Sequence, residues 1–472
     1  MKKFYFIFTI VAFIFFSNNV ISQQIIDYRN ADDILLKKKV AENPDIVNKY
    51  VIYEKEFKKL IDNIKENKDV RTDTLINGKR IIPVVFHIIH KGGAENITKA
   101  QILDAVEKIN IDYAKMNADT ANTYSIFKSR AADIKIELRL AQIDPWGNCT
   151  EGIDRVYDPQ TNYGYFGTMH QYCWNPDKYM NIYAVNFIYP EGITLPEGAF
   201  IGGMSPFPPS NSLSSTLTGG DTLVDGVLIR QDCIGSIGTA VSLGGMPLNM
   251  LNRTFTHETG HYFNLYHPFQ SLYAALGING CGNFIITAGD EVSDTPPVAE
   301  ATQNTSINCF TPGSRNTCSS TDAIYGIDAP DMIENYMDYQ FGYCTNIFTL
   351  GQLERIDATL QSDRKNLWSK ENLIATGVLN ASPALCPPIA DFYANRFMVC
   401  AGGEVTFTDY SYSGAAQDWL WTFDGGTPST STLQNPTVQY NTPGTYDVKL
   451  KVSNASGSDS LVKTIHIIVN DN

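Results

Sequence analysis

The chain passes through four distinct spacings of apolar residues. Residues 4–16, FYFIFTIVAFIFF, form an unbroken apolar run behind Lys2 and Lys3. Between residues 23 and 80 the apolar positions recur at helical intervals, as in Leu35, Val40, Val47, Val51 and Phe57, with charges between them. This predicts helices with too few apolar residues for a core of their own. At Arg80 the texture changes abruptly to RIIPVVFHIIH, an apolar β-rich run that predicts the first strand of a main domain. Ile102, Val106, Ile109 and Tyr113 then share one helical face behind Thr98, a capping candidate. IKIELRLAQI, YMNIYAVNFI and DGVLIRQDC predict further strands ahead of a long helix, so this part reads as an α/β domain with a mixed twisted sheet. From residue 386 short alternating stretches between Gly, Pro and Asn turns predict a small all-β sandwich, joined through the linker TGVLNASPALCPP.

Composition narrows the picture. A chain of 472 residues exceeds one ordinary domain, and its 43% hydrophobic share suffices for real cores. The net charge of −14 argues against a nucleic-acid or anionic-membrane partner. A basic start, a short apolar run and Val20-Ile21-Ser22 have the layout of a secretory leader, residues 1–22, and no other stretch is apolar and long enough to span a membrane. The protein is therefore expected to be secreted. Nine cysteines and no C-x-x-C pair fit disulfides in an oxidising compartment, with Cys233 the expected odd thiol. Lys79-Arg80 is expected to offer an exposed processing site at the end of a propeptide, residues 23–80.

The chain has seven histidines, and three of them fall in FTHETGHYFNLYH. On a helix His257 and His261 present their imidazoles to one point, and Glu258 can reach a water held there. His267 joins them only if the chain turns sharply after His261. Glycine commonly makes such a turn because it accepts positive φ, and asparagine is the next most tolerated residue, so Asn264 preserves the turn.

H-E-x-x-H-x-x-(G/N)-x-x-H resembles the metzincin zinc signature, and ENYMDY (residues 334–339) resembles the methionine turn that lies beneath the metal in that group. RTFTHETGHYFNLYH, GDEVSDTPP, NYMDY with Cys344 and Phe348-Thr349, IPVVFHIIH, YMNIYAV and DGVLIR are similar to the pappalysin or cytophagalysin family of secreted metallopeptidases. The resemblance implies a metzincin-type α/β catalytic domain (residues 81–380), a twisted mixed sheet plus a zinc helix. It implies one catalytic zinc on His257, His261 and His267, and peptide-bond hydrolysis by a zinc-bound water with Glu258 as general base. Met337 becomes a hydrophobic floor, and Tyr339 a hydrogen-bond donor to the tetrahedral intermediate. The resemblance further implies structural calcium near Asp290, Asp294 and Thr295, whose hard oxygens suit that ion. It also implies disulfides Cys281–Cys318 and Cys309–Cys344, with Cys149–Cys173 and Cys386–Cys400 as weaker expectations. Relatives silence the zinc with a propeptide cysteine, which this propeptide lacks, so Asp32 or Asp33 is expected to replace it; the alternative is a propeptide that only assists folding. Relatives that cut before Arg or Lys carry acidic residues just ahead of the cysteine after the methionine turn, where this chain has Phe341-Gly342-Tyr343. An uncharged residue is therefore expected after the cut.

DWLWTFDGG and PGTYDVKLKVSNASGSD resemble a PKD-type sandwich (residues 386–472), with Trp421 and Tyr446 read as its core and substrate or a surface glycan as the ligand it could take. No further sorting domain is expected after it. The expected function is a secreted zinc endopeptidase acting on protein or peptide substrates. The rival is an enzyme-derived adhesion or binding protein with weak or no peptidase activity.

Overall fold

The computed structural model describes residues 26–27, 31–67, 75–189, 199–244, 248–270, 281, 289–302, 309–319, 321–340, 342–379 and 385–471. Residues 1–22, expected to be a secretory leader, lie outside them. Among the described residues no helix is long and apolar enough to cross a membrane.

The first domain is built on a mixed sheet of six strands: β2 (Arg80–His90), β3 (Ile136–Leu140), β4 (Ile153–Tyr157), β5 (Met180–Val185), β7 (Gly203–Met204) and β8 (Val227–Arg230). A separate short pairing joins β1 (Ile26–Asp27) to β6 (Ala199–Phe200) in parallel. β2 is the centre. It pairs in parallel with β3 along its first half, β4 along its second, and β5 on its other side. β8 continues the parallel sheet from β5, and β7 closes the edge antiparallel to β8. Every residue of β2 is buried, as its predominantly apolar sequence requires of a strand covered on both faces.

Side chains alternate across the sheet. Ile82, Val84, Phe86, Ile88, Ile182 and Ala184 point into the main core, which packs with α3 (Lys99–Tyr113) and the histidine-bearing α6 (Arg253–Tyr262). α7 (Leu350–Gln361) closes the same layer, ahead of the short α8 (Lys370–Ala375). Thr98 caps α3 by accepting from Gln101 N at 3.2 Å, as its sequence predicts.

The opposite core is shared with the N-terminal helices, as their thin apolar faces require. α1 (Ala31–Glu42) and α2 (Asp45–Asn67) have no core of their own, yet Leu35, Leu36, Val40, Ile46, Val47 and Tyr50 share one with Tyr183, Val185, Phe207 and Tyr266 of the domain. α4 (Phe166–Tyr172) and α5 (Ser212–Thr218) complete that layer. The N-terminal helices thus pack on the domain as a layer. The processing site at Lys79-Arg80 is corrected. Arg80 is buried as the first residue of β2, bonded to Asp357 at 2.7 Å and set over the ring of Trp368, so the bond after it lies inside the sheet.

The second domain is a sandwich of a four-stranded and a five-stranded sheet. Trp421 is fully buried between Phe392, Phe407 and Phe423, whereas Tyr446 lies at the rim against Tyr440. Two of the expected cysteine pairs, Cys149–Cys173 and Cys386–Cys400, do not form. Cys281–Cys318 and Cys309–Cys344 form as the resemblance implies, but Cys149 pairs with Cys386, not Cys173, and Cys400 is a thiol, as are Cys173 and Cys233. The reason is packing. Gln142 and Ile143 donate to Thr376 O, which brings the loop carrying Cys149 to the start of the sandwich and ties the two domains covalently.

Candidate metal centre

The helix α6 is held from both ends before it presents any histidine. Arg253 bonds Asp112 of α3 at 2.7 Å and also touches the Tyr336 hydroxyl. Thr256 donates to the same Asp112 carboxylate at 2.7 Å, and Tyr113 donates to Thr259 Oγ1 at 2.6 Å. All ten helix residues are buried, so Arg253, Thr256 and Thr259 meet protein partners rather than water.

The helix ends where the spacing requires. Asn264 adopts φ 73°, the left-handed conformation, and Leu265 N then bonds back to Gly260 O at 2.9 Å. The chain reverses and returns His267 to the first two histidines. Its Nε2 lies 3.0 Å from His261 Nε2 and 3.2 Å from His257 Nε2. The second nitrogens explain the tautomers. His257 Nδ1 sits 2.7 Å from Tyr336 O and His261 Nδ1 2.7 Å from Leu265 O. A carbonyl only accepts, so each Nδ1 carries the proton and each Nε2 turns a lone pair to the common point.

Lone pairs facing one another at these distances call for a cation. Zinc at 2.0–2.1 Å from each nitrogen in a tetrahedral shell sets them about 3.3 Å apart, close to what is seen. Among the described residues this is the one His/Cys/Asp/Glu cluster that could hold a metal, and its members suit zinc. His267 is stacked on Phe269 at 4.9 Å, and Tyr339 lies 4.6 Å from His267 and 5.6 Å from His257 between ring centres. Met337 lies directly under the helix: a methyl group at Gly260 would overlap its sulfur. The turn also supplies Tyr336 O to His257, a contribution that the sequence does not reveal.

Glu258, next to His257 on α6, packs against the edge strand. An added Cβ at Gly203 would lie 2.5 Å from Glu258 Cγ and 3.0 Å from its carboxylate, so β7 must have glycine here. Sequence reading missed Gly203, because a two-residue strand leaves no periodic signal. The three histidines and Glu258 are at most 3% exposed in the full-length chain.

The residues expected to hold calcium take part in internal hydrogen bonds, while the buried Oδ2 of Asp290 has no hydrogen-bond partner among the described residues. Asp290 accepts from Thr295 Oγ1 at 2.6 Å and from Val292 N, and Asp294 accepts from Gly351 N at the start of α7. Asp32 and Asp33 fall in the first turn of α1, and their side chains lie outside the described residues.

Glu291, between those aspartates, has φ 59° and takes a hydrogen bond from Tyr50 of α2 at 3.3 Å. Burial, and then Glu54, push its carboxyl up to about 8, while Arg355 pulls the other way. The folded state therefore holds this proton more tightly than the unfolded chain. The stability it contributes is complete below about pH 4.3, the free glutamate value, and is lost as pH rises towards 8. On a Glu258→Ala background Glu291→Gln should raise Tm at pH 8 by several degrees and leave it unchanged near pH 4; a gain equal at both pH values would contradict this.

Residues 248–361 match the family model described as Pregnancy-associated plasma protein-A, and residues 390–467 match the PKD domain. An extracellular metalloprotease of Podospora anserina is 40% identical over 139 residues, 29% of this chain and 39% of that protein. Another, from Verticillium alfalfae, is 27% identical over 296 residues, 61% of this chain and 79% of that protein. Among solved structures, Tannerella forsythia mature mirolysin in complex with a cleaved peptide is 28% identical, with 63% of this chain and 98% of that chain covered and a TM-score of 0.48. The chain spans less than half the length of several curated relatives that it matches.

Proposed function

From a chain that carries a pappalysin-type metallopeptidase region followed by a PKD domain, we propose a secreted zinc endopeptidase, made in a latent form, that hydrolyses internal bonds of proteins or peptides. The observation that carries this reading is the convergence of three imidazole nitrogens, two of them oriented by main-chain carbonyls, beside the carboxylate of Glu258. Zinc held by His257, His261 and His267 supplies Lewis acidity that activates water and polarises a peptide carbonyl. Glu258, fixed against Gly203, takes the proton of the attacking water and passes it to the leaving amine. Tyr339 directs its phenol towards the oxyanion that develops as the carbonyl is attacked. Latency is supported by the packing of α1 and α2 on the domain, in a chain whose histidines and Glu258 are at most 3% exposed.

The pocket for the residue after the cut is proposed to be neutral. Asp331 is occupied by Arg315 and Thr317, Glu334 accepts from Tyr124 N, and Asp338 accepts from Thr302. A guanidinium entering here would find Asp331 and Asp338 already engaged and Glu334 buried with one oxygen bonded, at a large desolvation cost. Phe341 lies outside the described residues. A peptide library treated with the matured protein tests both points. Internal cuts that stop on chelation, before uncharged residues, are expected. Cuts dominated by Arg or Lys after the scissile bond contradict the pocket, and no chelator-sensitive cutting contradicts the enzyme reading in favour of a binding protein.

A further inference from the structure

The turn between the second and third histidines is gripped from behind by the N-terminal helix α2. Three α2 residues within one helical turn make the grip: Tyr53, Glu54 and Phe57. Glu54, 4% exposed, takes both ends of the Arg355 guanidinium, at 2.8 and 2.7 Å, and a hydrogen bond from Tyr266, the neighbour of His267, at 2.7 Å. Arg355, 1% exposed, donates its Nε to Asn264 O at 2.6 Å and lies between the rings of Phe57 and Tyr266. Asn264 Nδ2 reaches the Tyr53 hydroxyl at 3.0 Å. Asn211, from the domain itself, completes the knot by donating to Asn264 Oδ1 and the Tyr266 hydroxyl.

Two of the three residues in this turn, Asn264 and Tyr266, thus take support from α2, directly or through Arg355. The arrangement has a direction. Packing alone would need apolar contacts, which α1 and α2 already make with the opposite core. A buried carboxylate and guanidinium are costly to desolvate and are retained only where their hydrogen bonds are well made. Here those bonds end on the residue that reverses the chain and on the residue before the third histidine.

Resting on the zinc reading above, we infer that Glu54 and Tyr53 of the N-terminal segment are positioning residues for the metal centre, acting through Arg355 and Asn264 to hold His267 against His257 and His261. Outer groups that orient a ligand typically change metal affinity 10- to 100-fold when removed.

The test follows zinc transfer to a coloured chelator from the full-length chain on a Glu258→Ala background. Glu54→Gln should speed zinc loss by about tenfold or more, and Tyr53→Phe by a smaller factor. Val40→Ala, which opens the shared core in α1 without touching the turn, should leave the rate near that of the parent once thermal stability is matched. Unchanged loss from folded Glu54→Gln, or equal acceleration by Val40→Ala, would overturn the inference while leaving the zinc reading intact. If Glu54→Gln does not fold, Tyr53→Phe decides: faster loss supports the inference and an unchanged rate overturns it. A parent chain that holds no zinc would overturn the zinc reading, and the inference with it.

Discussion

Glu258→Ala should fold, keep its zinc and lose hydrolysis by roughly 10²- to 10⁴-fold. The carboxylate belongs to the helix that carries two of the histidines, but the Nδ1 protons of those two do not depend on it: they go to Tyr336 O and Leu265 O. Its removal therefore takes away the proton carrier and leaves the three nitrogens where they are. The space it vacates beside Gly203 is lined by an edge strand held by β8, so the strand has no reason to move. The check is turnover on a peptide cut by the parent, with metal content measured on the same sample. Near-parental turnover in a zinc-loaded variant would remove Glu258 from the mechanism.

Asn264 gives the second large effect, and the structure changes its size. As a turn residue alone it could become glycine at little cost, since both accept φ 73°. In the fold its side chain is fully buried and bonded to Asn211 and Tyr53. Asn264→Gly should therefore destabilise by about 1–3 kcal/mol, the cost of leaving buried polar partners unsatisfied. Asn264→Val should cost about 1–3 kcal/mol more, because a β-branched residue resists positive φ, and should also weaken zinc retention. Denaturant unfolding on the Glu258→Ala background separates the three proteins. Equal stability of the Gly and Val variants would refute the role of backbone conformation at this position.

The parts legible in the sequence were those with a local signature. The largely apolar β2 announced a strand of the main domain, Thr98 a helix start, and the spacing of His257, His261 and His267 a common point reached through a left-handed Asn264. What escaped depends on partners far along the chain. Arg80 reads as half of a basic processing pair until Asp357 and Trp368 are placed beside it. The Cys149–Cys386 bridge spans 237 residues and forms because Thr376 anchors the loop before Cys149. The thin apolar faces of α1 and α2 hide a docked layer because the domain supplies the other half of their core. Glu54 looks like one more surface charge on a Lys- and Glu-rich helix; only Arg355, 301 residues later, makes it a buried one.

The central claim is that three histidines hold a zinc ion on which hydrolysis depends. Metal content and peptide cleavage, followed together in the matured protein through chelation and readdition of zinc, test it most directly. A single zinc ion per chain is predicted, lost together with cleavage and restored together with it, and absent when His267→Ala is made. Full cleavage by metal-free protein, or zinc retained at the parental level by His267→Ala, would contradict the account.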